Sequence, residues 1–85
     1  MAAGTIRVRV RFFSHVRHML GSDGTHLELP PGSTAGDAEA KLRAMAGGRL
    51  QRFVFRLAVN HEYVAPAHRL ADGDELALIA PVQGG

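Results

Sequence analysis

Between Ile6 and Phe12 apolar and charged residues alternate without a break, as Ile6-Arg7-Val8-Arg9-Val10-Arg11-Phe12. Successive side chains on a β-strand point to opposite faces. The heptapeptide therefore predicts a strand with Ile6, Val8, Val10 and Phe12 toward a core and three arginines toward solvent. A slip of one residue would bury all three guanidinium groups, so the pattern also sets the register. The far end of the chain adds a second constraint. Leu76-Ala77-Leu78-Ile79-Ala80 is nearly all apolar, the composition expected of a strand buried on both faces. Such a strand belongs in the middle of a sheet, beside the first. If the two run parallel, the chain between them must cross over through a helix.

The intervening sequence supplies that helix. Thr34 with Asp37 three residues on is an N-cap and a variant capping box, Asp standing where Glu is usual. The helix it opens runs over about 35–46, with Ala35, Ala38, Leu42 and Met45 as the buried stripe, and Gly47-Gly48 stops it. Ahead of it, Thr25-His26-Leu27-Glu28-Leu29 alternates as a second strand, antiparallel to the first and ended by Pro30-Pro31-Gly32. Ser14 to Leu20 predicts one or two helical turns closed by Gly21, and Ser22-Asp23-Gly24 is turn chemistry. Residues 49–56 show no decided period, with Phe53 and Phe55 as apolar anchors among arginines. Leu57-Ala58-Val59 is a short strand, Asn60-His61-Glu62 a turn, and Tyr63-Val64-Ala65 a return strand that Pro66 marks as an edge. Leu70 to Glu75 is a turn centred on Asp72-Gly73. One helix packed across a mixed sheet is an α+β chain of the β-grasp, or ubiquitin-like, arrangement, in a single domain spanning residues 1–85.

A chain of 85 residues buries only about 60–65% of its unfolded surface, enough for one modest core and no deep internal site. No apolar run approaches the roughly 20 residues that cross a bilayer, and residues 1–5 lack the features of a signal peptide; a cytoplasmic protein without membrane partners is expected. Cysteine is absent, which excludes disulfides, thiolate metal sites and a cysteine nucleophile. Any sulfur chemistry must draw its sulfur from another protein. Nine arginines and one lysine against eight acidic residues give a net charge of +2, and aromatic residues make up 6%. A nucleic-acid reader carries a denser basic stripe with stacking aromatics, so no nucleic-acid partner is expected.

Nor do the reactive side chains assemble into a catalytic pattern. His15, His18, His26, His61 and His68 have no carboxylate or cysteine at ligand spacing. Ser14 and His15 are adjacent and do not face each other. Asp72, Asp74 and Glu75 read as a solvated turn and are too few for calcium. Gly47-Gly48 lacks the lysine and the strand–loop–helix order of a phosphate-binding loop, so this chain is expected to bind no ATP.

The remaining feature is the end, Pro81-Val82-Gln83-Gly84-Gly85. Glycine has no Cβ and loses the most freedom on ordering, so a Gly-Gly tail suits a narrow channel in a partner. Its extended reach is at most about 17 Å. The terminal carboxylate of Gly85 is ionised at neutral pH and becomes an electrophile once a partner activates it, for instance as an acyl-adenylate. A carrier is the function class that fits an accessible carboxylate on a body without catalytic groups.

Several segments together resemble one family. Val10-Arg11-Phe12-Phe13-Ser14 with Val16-Arg17 and Gly21, Ala58-Val59-Asn60 with Val64, Leu70-Ala71-Asp72-Gly73-Asp74-Glu75-Leu76-Ala77, and Pro81-Val82-Gln83-Gly84-Gly85 are similar, in order and spacing, to motifs of the MoaD/ThiS ubiquitin-like sulfur carriers. Within them the chain most resembles the small subunit of molybdopterin synthase. The family ending commonly has two prolines and a hydroxyl residue, where this chain has Ala80 and Gln83. The resemblance implies that an ATP-using, MoeB-like activating enzyme adenylates Gly85. A sulfur donor protein then converts the adenylate to a thiocarboxylate. The tail enters a MoaE-like large synthase subunit, in a hetero-oligomer, and delivers sulfur to a pterin precursor. This chain would be the non-catalytic sulfur-donor subunit of a sulfurtransferase. A carrier for thiazole or cysteine synthesis, a protein modifier joined to lysines, and a binding module with an inert tail share the same fold and end.

Overall fold

The computed structural model describes residues 4–80, and within them the opening alternation forms β1, Ile6–Phe12. Val8, Val10 and Phe12 are buried, and Arg7, Arg9 and Arg11 are exposed. There follow α1 (Ser14–Leu20), β2 (Gly24–Leu29), α2 (Ala35–Met45), β3 (Arg56–Val59), β4 (Glu62–Val64) and β5 (Glu75–Ile79). The strands form one sheet in the order β2-β1-β5-β3-β4. β5 runs parallel to β1, with Val10 opposite Leu76 and Phe12 opposite Leu78, and the other pairings are antiparallel. The first and last strands thus meet at the sheet centre, as the sequence predicts.

The two-sided burial expected of β5 is not what forms. Leu76 and Leu78 are fully buried, whereas Ala77 and Ile79 on the other face are only half-buried. The core lies on the Leu76 side, where Val8, Val10, Leu27, Leu42, Leu57 and Leu78 cluster beneath α2. The opposite face of the sheet is open among the described residues.

The start of α2 accounts for each of its first-turn donors, groups that a helix cannot satisfy internally. Asp37 N–H donates to Thr34 Oγ1 at 3.1 Å, and Thr34 N–H donates back to Asp37 Oδ2 at 2.9 Å, a complete capping box. Ala35 N–H donates to the His68 carbonyl and Gly36 N–H to that of Pro66, both at 2.8 Å. Gly36 suits this close docking, since a Cβ there would meet Pro66 at 3.2 Å and push it back by a few tenths of an ångström. Ala35, Ala38 and Leu42 form the buried stripe, but Met45 is 58% exposed. Ala46, four residues beyond Leu42, continues the stripe, and Leu50 fills the core beyond it. Both i+3 and i+4 lie on one helical face, and the structure takes the smaller residue.

Arg43 organises the segment that lacks a sequence period. Its guanidinium pairs with Glu39 at 2.8 Å and donates to the carbonyls of Leu50 and Phe53, each at 2.7 Å. It also lies 4.9 Å from the centroid of Phe55, whose ring stacks on Phe53 at 5.8 Å. Residues 47–52 are turns and 53–55 are irregular before β3 begins at Arg56.

Candidate functional site

The expected tail, Pro81, Val82, Gln83, Gly84 and Gly85, lies outside the described residues. What the structure describes is its base. β5 ends at Ile79 in the centre of the sheet, and Ala80 is partly buried against the core. Everything that fixes the position of β5 therefore fixes where the tail begins.

The start of β5 is held by side chains that replace ladder partners. Asp72 Oδ1 accepts from the Arg7 N–H of β1 at 2.8 Å. Asp74 accepts from Ala71 N–H at 2.8 Å and from Asn60 Nδ2 at 3.0 Å. Asn60 Oδ1 accepts from Glu75 N–H at 3.0 Å, and Asn60 N–H donates to the Glu75 carbonyl at 2.8 Å. Asn60 and His61 both have positive φ, 50° and 74°, which fits the two-residue turn that matches strand twist in a hairpin. Glu62, expected in that turn, already belongs to β4. The aspartates thus do more than face solvent: they brace β5 against β1 and β3.

On the open face, beside the end of β5, lies a groove of about 390 Å³. Ala58, Ala77 and Ile79 form its floor, with Ala58 opposite Ala77 on one side and Tyr63 on the other. Phe13 and Tyr63, 40% and 61% exposed, form its walls. Arg11, His61 and Glu75 complete the lining. Glu75 lies 3.6 Å from both the Arg11 guanidinium and His61 Nε2. Arg11 also sits 5.5 Å from the Phe13 centroid, and Arg56 sits 4.4 Å from that of Tyr63. The two floor alanines leave space, and Ile79 and the aromatic walls supply apolar area, a shape suited to receiving an apolar projection.

Ile79 was legible only as part of the apolar last strand, not as a groove residue. Nor were Phe13, Ala58, Tyr63 and Ala77 legible as such, although continuing the β1 alternation by one residue puts Phe13 on the arginine face. Phe53 and Phe55, the other apolar anchors, pack against the core beside Arg43 of α2 and take no part in the groove. Among the described residues no group of three His, Cys, Asp or Glu side chains is placed to hold a metal ion. No helix there is long and apolar enough to cross a membrane.

Comparison with known proteins agrees with this architecture. The ThiS family matches residues 10–85. The molybdopterin synthase sulfur carrier subunit of Escherichia coli K12 is 33% identical, over 92% of this chain and 99% of its own length. That of Chlamydomonas reinhardtii is 33% identical over 94% of this chain and all of its own. The crystal structure of SAMP1 from Haloferax volcanii superposes with a TM-score of 0.80 at 28% identity, covering 93% of this chain and 99% of that one.

Proposed function

Because this chain belongs to the ThiS family, we propose that it is the sulfur carrier of a molybdopterin synthase and that Gly85 bears the sulfur. The observation that carries the proposal is the family match, which runs from β1 through residue 85, together with near-complete coverage of two sulfur carrier subunits. The geometry of the body supports it. β5 is the central strand, braced by Asp72, Asp74 and Asn60, so in sequence the tail follows directly on a strand whose place is fixed. A tail used as a reactive arm needs such a fixed base, because a short arm reaches only as far as its origin allows.

In this cycle a partner activating enzyme uses ATP to adenylate the Gly85 carboxylate, releasing pyrophosphate. The outer sulfur of a persulfide on a donor protein then displaces AMP to give an acyl disulfide, and a second thiol of the donor cleaves the S–S bond, releasing the thiocarboxylate and leaving a disulfide on the donor. The tail enters the large synthase subunit, where the thiocarboxylate sulfur attacks a carbon of the pterin precursor and expels an oxygen leaving group; water then cleaves the resulting thioester, leaving the sulfur on the pterin and restoring the Gly85 carboxylate. Acid and base groups come from that subunit, and this chain contributes sulfur and a docking surface. Phe13, Ala58, Tyr63, Ala77 and Ile79 form the docking surface, beside the tail base. The reaction is cytoplasmic, and this chain itself holds no cofactor.

Likeness to the archaeal SAMP1, a small archaeal modifier protein 1, favours a second use of the same carboxylate, an amide bond to a target lysine. One experiment separates the two. The chain is incubated with its cognate activating enzyme, ATP and a sulfur donor, and intact mass is measured with fragmentation. Exchange of one oxygen for sulfur at Gly85, followed by sulfur transfer to the pterin precursor on addition of the large subunit, is the expected result. Conjugates to lysines without thiocarboxylate would favour the modifier. An unchanged mass with a demonstrably active partner would overturn both.

A further inference from the structure

The open face of the sheet has two halves, and the groove occupies only one. Across β1 lies a basic strip. Arg7, Arg9 and Arg11 project from the same face at intervals of about 6.7 Å. Register places Glu28 opposite Arg7, His26 opposite Arg9 and Gly24 opposite Arg11 on β2. Arg7, Arg9, His26, Asp72 and Gly73 line a shallow depression of about 300 Å³. Among the described residues, Arg11 pairs with Glu75, but no carboxylate lies within 4.0 Å of the Arg7 or Arg9 guanidinium. Asp72 is committed to the Arg7 backbone N–H rather than to its side chain. The strip thus presents two guanidinium forks that make no ion pair of their own: Glu28 stands opposite Arg7 without pairing with it, and Glu75, opposite Arg9 on β5, turns to Arg11 and His61.

We propose that Arg7 and Arg9 form an electrostatic clamp for carboxylates on the partner protein that docks in the neighbouring groove. The inference rests on the carrier reading for the identity of that partner, the large synthase subunit. Charge complementarity selects an acidic protein surface, because guanidinium forks bind carboxylates in planar, two-pronged geometry. Nucleic acid fits less well. The aromatic rings on this face, Phe13 and Tyr63, each have an arginine over them, so the ring faces that would stack on bases are occupied. The clamp and the groove share Arg11 as their boundary. Apolar contact supplies affinity, and the charged strip sets orientation and speeds encounter. A tail of five residues must meet one channel, so orientation of the body determines whether it arrives.

The test uses the purified full-length chain and its cognate large subunit. Association rates are measured by stopped flow for wild type, R7E/R9E and R7Q/R9Q, alongside thermal melts and thiocarboxylate formation by intact mass. Both side chains are exposed, so melts should match, and R7Q/R9Q keeps the test valid if charge reversal disturbs folding. The expected result is association slowed about tenfold or more in R7E/R9E at low salt, less in R7Q/R9Q. The difference should close toward 1 M salt, where screening acts within about 3 Å. Wild-type rates in both variants at low salt, with sulfur still loaded on Gly85, would overturn the clamp and leave the carrier reading standing. A wild-type chain that neither takes up sulfur nor associates with the large subunit would overturn the carrier reading and the clamp with it. Tighter binding of a labelled single-stranded DNA oligonucleotide than of the large subunit would also overturn the clamp.

Discussion

Arg43 shows what a single residue can organise and why its role was hidden. In the sequence it is one arginine among nine, and its position in the last turn of a helix suits the helix dipole without further explanation. Its partners at Leu50 and Phe53 stand seven and ten residues away, in a stretch with no period to read. Arg43→Ala leaves two carbonyls and Glu39 without their charged donor, and we expect a loss of about 2–3 kcal/mol. Arg43→Lys should recover only part of that, because an ammonium cannot match a planar fork. Urea unfolding and amide exchange through residues 50–55 check both, and a lysine variant as stable as wild type would contradict the account. Phe12 and Arg9 were legible from the start, because alternation is local and survives any tertiary context. Phe12→Ala should cost about 3–5 kcal/mol, whereas the stability change from Arg9→Ala should stay within about 0.5 kcal/mol. Equal losses in paired thermal melts would mean that the two faces of β1 are not distinct.

Elements were readable where one short signal sufficed and misread where neighbours decide. The cap of α2 needs only Thr34 and Asp37, and both bonds form. Thr34→Ala should therefore cost roughly 0.5–2 kcal/mol, seen as a lower melting temperature. An unchanged melt would show that the contacts from His68 and Pro66 hold the helix start alone. By contrast, the choice of Ala46 over Met45 depends on where the chain leaves the helix, which the Gly47 and Gly48 turns set. The apolar character of β5 suggested cover on both faces, yet Ala77 and Ile79 face an open groove. Local composition reports that a face is apolar and does not report whether its cover belongs to the same chain. The β2 edge was equally invisible. There Ser22 Oγ bonds both the N–H and the carbonyl of Gly24, and Lys41 Nζ donates to the Glu28 carbonyl at 2.9 Å. Capping of this kind blunts an edge against adding another strand.

At the scale of the whole molecule, the pairing of β1 with β5 ties one end of the sequence to the other. The central strand is therefore the last to be made, and the core remains incomplete without it. Leu76 and Leu78 are both fully buried, so removing them opens the core. A truncation series follows from this. A chain ending at residue 74 should be unfolded by circular dichroism, because losing two buried leucines at about 2–5 kcal/mol each exceeds what a small domain holds in reserve. A chain ending at Ala80 should keep its melting temperature within about 4 °C of the full chain. It should still bind the large subunit through the groove, more weakly, and should take up no sulfur. Fold and function then separate at one boundary, between a strand that completes the core and a tail that carries the reacting carboxylate. A chain ending at Ala80 that melts far below the full one would place residues 81–85 within the folded body and overturn the picture of a reactive arm. One that still acquired sulfur would move the reacting group away from Gly85.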